Sequence, residues 1–195
     1  MRIINLEDGL KYKFIGISAL KAKKIIEIND LIKKIREISD KYSVEIQVLN
    51  ADKIASWENL FFASINALKS FQGRYNIANN LPIQTLLYLA ADRQIQNAIK
   101  NFGIKKDTSK IAVIIFSNLM ENITNSFTEI KNLFDGIENE NLLELNNEKF
   151  NSLLGLYKIS DIELSNLMDD NTEKSKYRTL IKLIIDRGSL ISLEK

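Results

Sequence analysis

Neither cysteine nor histidine occurs anywhere in these 195 residues. Without cysteine there is no disulfide framework, zinc–thiolate site or iron–sulfur cluster. Without histidine the chain lacks the commonest general base, the metal-binding imidazole and the Ser–His and Cys–His nucleophile pairs. Aspartate, glutamate or lysine would have to carry any chemistry. Proline occurs once, at Pro82. No apolar run reaches the length of a membrane span, and Met1-Arg2-Ile3-Ile4-Asn5 lacks the apolar core of a signal peptide. A cytoplasmic chain is expected. Neither sign of charge dominates: 27 basic and 25 acidic residues leave a net charge of +2, which permits a basic patch without demanding one. Glycines are isolated, with neither GxGxxG nor GxxxxGK[ST], so no phosphate-cradling loop and no kinase or NTPase activity is expected.

What is present is an ordinary globular composition, 45% hydrophobic and 27% charged, enough for one sizeable core. Lys11 to Ile17 is strand-prone, with Tyr12 and Phe14 on one face and Lys13, Ile15 and Ile17 on the other. Asn29 or Asp30 caps a helix carrying Leu31, Ile35, Ile38 and Tyr42. Val44, Ile46 and Val48 alternate as in a half-buried strand. Ser56 caps a helix with Leu60, Ser64, Ala67 or Leu68, and Phe71 inward, and Gly73 ends it. After the Gly73–Asn80 loop, the Thr85 to Ala90 run reads as a strand, on its Thr and Tyr content and the cap that follows. Asp92 caps a helix whose Ile95, Ala98, Ile99 and Phe102 form one buried stripe, and Gly103 is placed for a left-handed stop. Ile111 to Phe116 reads as an inner strand covered on both faces.

Helices dominate the rest. Met120 to Phe134 turns Ile123, Phe127 and Ile130 inward; Asp135 to Asn147 is acidic and turn-like; Ser160-x-x-Glu163 has capping-box spacing; Glu173 to Asp186 forms a last helix stopped by Gly188. The expected fold is α/β (α+β): one domain over residues 1–195, with a mixed sheet of about five strands flanked by helices and a helical C-terminal third.

Few residues suggest chemistry. Asp169-Asp170 and Glu138-x-Glu140 read as solvated loop charge rather than magnesium ligands. Ser117 and Ser160 read as caps and Ser64 as a small core residue. The basic runs Lys21-x-Lys23-Lys24 and Lys33-Lys34-x-Arg36 read as solvated faces. More distinctive are Lys69, Arg74, Arg93, Lys100, Lys105 and Lys106, all between the second helix and the inner strand. Arg93 falls in a predicted first helical turn, where a cation opposes the helix dipole unless an anion compensates.

One ordered string stands out: Asn66-Ala67, then Arg74-Tyr75-Asn76-Ile77-Ala78, then Leu86-Leu87-Tyr88, then Arg93-Gln94-Ile95 with Ala98 and Phe102-Gly103-Ile104. It resembles the PRPK-binding (TPRKB-like, Cgi-type) regulatory subunit family of the KEOPS complex, in an archaeal-like form. The likeness covers most of the chain and is looser in the first third and over Arg187 to Leu193. Tyr75 is an insertion against the family pattern, and Gln84 stands where many relatives carry Glu.

The resemblance implies a non-catalytic subunit without cofactor or metal. Its assembly installs threonylcarbamoyl-adenosine (t6A) in tRNA. The implied partners are an atypical PRPK-like kinase-ATPase and, indirectly, the threonylcarbamoyl transferase subunit. tRNA is held by its single-stranded CCA end. A frayed RNA end needs a small basic pocket with a stacking wall. The residues assigned to RNA on this basis are Lys69, Arg74, Tyr75, Asn76, Tyr88, Arg93, Gln94 and Lys100. Those assigned to the kinase, from apolar helical stripes, are Leu153, Leu156, Ile159, Leu167 and Ile181. Three other readings stay open: a kinase-binding scaffold without RNA contact, a general RNA-binding module, and a small enzyme using carboxylates or lysine.

Overall fold

A computed structural model describes residues 1–23 and 27–192. Lys24 of the first basic run and Leu193 of the C-terminal stretch lie outside the described residues. The sheet is built from β1 (Arg2–Asn5), β2 (Phe14–Lys21), β3 (Glu45–Asn50), β4 (Lys110–Ser117) and the two-residue β5 (Ile137–Glu138). Its order is β1-β2-β4-β3, with β5 also on β2, and every described pairing is antiparallel where a mixed sheet was expected. β4 is the inner strand that its β-branched run predicts; Ile111 to Phe116 are all buried.

Eight helices surround the sheet among the described residues: α1 (Ile28–Tyr42), α2 (Trp57–Gln72), α3 (Leu81–Ala90), α4 (Ile95–Phe102), α5 (Met120–Leu133), α6 (Asn147–Leu156), α7 (Asp161–Leu167) and α8 (Glu173–Leu190). α1 and α5 cover one sheet face through Leu31, Ile38, Ile123, Phe127 and Ile130. The larger core, on the other face, joins Ile15, Ile17 and Ile114 to Leu60, Leu87, Phe102 and Leu180. Tyr12 lies in this larger core and Phe14 in the smaller, so the two do not share a face. Tyr12 precedes β2, and the strand's alternation does not reach it.

Three local expectations are corrected. Thr85 to Ala90 is helical, part of α3. Its residues are buried almost all round, so it carries no amphipathic period for a sequence to display. The caps decide instead: Asn80 Oδ1 accepts from the Ile83 amide at 2.9 Å, and Pro82 sits in the first turn, where its missing N–H costs nothing. Ala91, at φ 48°, takes the left-handed position, and Gly103 is extended at φ −65°. Gly103 answers a different need, since a Cβ there would lie 2.5 Å from the Ile99 carbonyl oxygen. Gly188 does not stop α8, which runs on to Leu190; a Cβ at Gly188 would lie 2.4 Å from the Tyr88 carbonyl oxygen. Other boundaries shift less. α1 starts ahead of Asn29 and Asp30. In the α4 stripe Ala98 and Phe102 are buried, while Ile95 and Ile99 stay exposed.

Lys149 is a buried cation in α6. Its Nζ donates to the carbonyls of Leu142 and Glu144 at 3.0 and 3.1 Å, holding the 140–143 turn against the helix. Burial pulls its pKa down to about 8. Between that value and the ordinary lysine range the unfolded chain keeps a proton that the folded chain has lost, so stability rises with pH across the window. Relative to Lys149→Met, the wild-type unfolding free energy should therefore climb by up to ~3 kcal/mol between pH 8 and 10.5. Urea titrations of both proteins at several pH values check this; parallel curves would remove the lysine's role.

Candidate functional site

The RNA-assigned residues centre on the turn between α2 and α3. Ser56 caps α2 through its Oγ, and the helix ends at Gly73 as expected. Arg74 follows at φ 59°, and the Tyr75 amide donates to the Ser70 carbonyl at 3.0 Å. The next residues are held from beneath. Gln84, fully buried on α3, accepts from the amides of Ile77 and Ala78 at 2.9 and 2.7 Å. Asn76 Nδ2 donates to the Ala78 carbonyl at 2.9 Å. Gln84 is thus the anchor that shapes the loop. A Glu could accept the same two amides, so the departure from the family pattern at this position leaves the loop's support intact.

Tyr88 is placed where the loop, α3 and the end of α8 meet. Burial raises its pKa first, with Tyr75 adding to the rise, while hydrogen bonding with Ser70, Ser192 and Gln84 opposes it. Tyr88 is 3% exposed, and this corrects its assignment as a stacking wall: its ring belongs to the core. Tyr75 is half exposed, and its ring lies close to Gly73, where a Cβ would come within 2.4 Å of it.

Arg93 precedes α4 rather than sitting in its first turn. Its Nη1 donates to the Ile191 carbonyl at 2.7 Å, at the C-terminal end of α8. A cation there complements the negative end of a helix dipole. Asp92 Oδ1 accepts from the Gln94 amide at 2.7 Å, and Asn97 Nδ2 reaches both Asp92 Oδ2 and Gln94 Oε1. The N-cap of α4 is Gln94, with no side-chain cap, so Asp92 does not cap the helix as expected; its carboxylate holds the turn ahead of it, and Gln94 is tied into that network. The fold thus brings Tyr75 and Tyr88 together, with Arg93 linked to them through Ile191 and Ser192 of the α8 end. Lys69 and Lys100 are exposed on α2 and α4, and no described contact joins them to this group. Among the described residues, Lys69, Arg74 and Lys100 form no ion pair.

The kinase-assigned residues divide by burial. Leu153 is fully buried and Ile159 is 6% exposed; both are core residues, which corrects their assignment as surface contacts. Leu156 and Ile181 are half-buried against the same core. Leu167 of α7 is exposed at 58%. Sequence reasoning missed Ile162, the most exposed large apolar residue described, at 73% on the same helix. The helix is only seven residues long, too short for a period that would mark Ile162 as outward.

The acidic pairs have structural partners. Glu138 Oε1 accepts from Ser18 Oγ at 2.7 Å, and Glu140 pairs with Arg2 at 3.1 Å. Asp170 Oδ1 accepts from the Thr172 amide and hydroxyl ahead of α8. Ser160 caps α7 through the Glu163 amide, but the Glu163 carboxylate turns to Arg187 of α8 instead of completing the box. Among the described residues no cluster of three Asp or Glu side chains is arranged for a metal.

The family model of the kinase binding protein CGI-121 matches residues 22–190. The chain belongs to that family. The CGI-121 match takes in the 73–80 loop, the Arg93 turn and α6 to α8. A search of curated proteins finds no match to the chain. As a CGI-121 protein it belongs to a family of kinase-binding proteins. No described helix is long and apolar enough to cross a membrane.

Proposed function

We propose that this chain is the non-catalytic regulatory subunit of a KEOPS-type assembly. It binds and regulates a PRPK-like kinase-ATPase and helps hold tRNA by its CCA end for t6A modification. The observation that supports the RNA part is the anchored 73–80 loop, on which Arg74 and Tyr75 are both exposed. An exposed cation and an exposed aromatic ring on one loop are groups that an unstacked nucleotide end can use. Arg93, braced at the end of α8, adds a second guanidinium on the Tyr88 side of the loop. Asn76 belongs to the loop itself and Gln94 to the Arg93 turn, while Lys69 and Lys100 are exposed cations on α2 and α4. For the kinase, the exposed Leu167 and Ile162 of α7 are the contacts, with Leu156 and Ile181 supporting them from the half-buried layer.

Arg74 is the residue to test, because its side chain is exposed and its loss leaves the core untouched. Arg74→Glu should weaken binding of CCA-ended tRNA about tenfold and flatten the salt dependence by about 0.7 in log–log slope. tRNA trimmed of its CCA end should bind wild type and variant alike. Equal affinities of both proteins for intact tRNA would remove the loop from the RNA site.

A further inference from the structure

Among the described residues β3 pairs with β4 on one side only, and its other edge has no strand partner. The phase of the ladder says which groups that edge presents. Ala22 donates to the Ser109 carbonyl at 2.8 Å, one step beyond the Lys21–Lys110 pair. Alternation from there makes Leu20–Ile111, Ser18–Val113 and Gly16–Ile115 the hydrogen-bonded pairs of β2 and β4. Ala112, Ile114 and Phe116 then bond toward β3, at Leu49, Gln47 and Glu45. The amides and carbonyls of Ile46 and Val48 are left pointing away from the sheet. Gln47 supports this phase independently: its Nε2 donates to the outward Val48 carbonyl at 3.2 Å.

This edge is the floor of an open groove of about 890 Å³. Ile28, Ile32 and Ile35 of α1 form one wall, and Ile83, Ile99 and Ile104 form the other. Ile32 is 58% exposed and Ile99 48%. Asp40 and Glu45 lie at the end where β3 begins; the lining also holds the Arg36 guanidinium, and Lys11 Nζ is 3.8 Å from Glu45 on the exposed side, so carboxylates outnumber cations in the lining by two to one.

We propose that β3 accepts an extended strand from a partner protein, rich in β-branched residues and basic toward its C-terminal end. A strand laid on this floor would bond to Ile46 and Val48 and send successive side chains alternately into the two aliphatic walls. Run antiparallel, its C-terminal end reaches Asp40 and Glu45, which a lysine or arginine there complements. The amide of Gln47 holds the Val48 carbonyl until such a strand displaces it. The proposal is independent of the kinase and tRNA readings.

The probe is the peptide acetyl-Thr-Val-Ile-Thr-Val-Lys-amide, titrated to millimolar concentration into the 15N-labelled full chain. The expected result is saturable shifts centred on the Ile46 and Val48 amides, with slowed hydrogen exchange at both. Val48→Pro removes the outward donor and leaves the groups of Gln47 and Leu49 that face β4, at a cost in Val48's packing on the smaller core, and peptide binding should weaken about fivefold or more. Unchanged amide shifts across the rest of the sheet confirm that the variant folds. No shifts at Ile46 and Val48, equal binding by folded Val48→Pro, or shifts that follow protein concentration without peptide would each overturn the proposal, the last by showing that a second copy occupies the edge.

Discussion

Gly188→Ala should destabilise the protein by about 1–3 kcal/mol or more, because a methyl group at this position meets backbone rather than a side chain that can move aside. The added Cβ would lie 2.4 Å from the Tyr88 carbonyl oxygen, so α8 must lift from α3. The consequence reaches the candidate site. Ile191 and Ser192, directly after α8, are the residues that meet Arg93 and Tyr88. Denaturant unfolding reads the stability loss, and amide shifts at Arg93 and Tyr88 read the displacement. A variant as stable as wild type would mean that α8 and α3 are less closely packed than the glycine contact requires.

Tyr157→Ala should cost about 3–5 kcal/mol, the range for removing a buried aromatic side chain. Tyr157 ends α6, lies edge-on to Phe102 of α4 with ring centroids 6.1 Å apart, and donates its hydroxyl to the Leu89 carbonyl of α3. It therefore joins three helices at one point. Complete burial pushes its phenol pKa far up, so it stays protonated as a donor at every ordinary pH. Tyr157→Phe separates the two contributions: it keeps the ring and strands the Leu89 carbonyl, at a cost of about 1–3 kcal/mol. A Phe variant as damaged as the Ala variant would put the weight on the hydroxyl alone.

Much of this architecture was legible in the sequence because it follows local rules. Ser56 and Gly73 bracket α2, the β-branched run makes β4, and Ile123, Phe127 and Ile130 line the inner face of α5. α3 was misread because burial on all sides erases the helical period, although Asn80 and Pro82 carried a start signal. The role of Gln84 was hidden for a different reason. It depends on which loop amides fold back over α3, a tertiary matter that no spacing encodes. The same holds for Arg93, whose partner carbonyl lies 98 residues away. Of the stacking candidates, the sequence ranked Tyr75 and Tyr88 equally, and only burial separates them. Leu153 and Leu167 likewise belong to stripes of similar appearance, one facing the core and one facing out.

The central claim is that one polypeptide joins a kinase to the single-stranded end of tRNA without chemistry of its own. The most direct measurement is sedimentation of the purified chain with the PRPK-like kinase and CCA-ended tRNA, together and in pairs. The account predicts a ternary species containing all three, reduced to the protein pair when the CCA end is removed. A chain that leaves the kinase and the tRNA sedimenting apart from it, or that binds tRNA equally well without its CCA end, would contradict it.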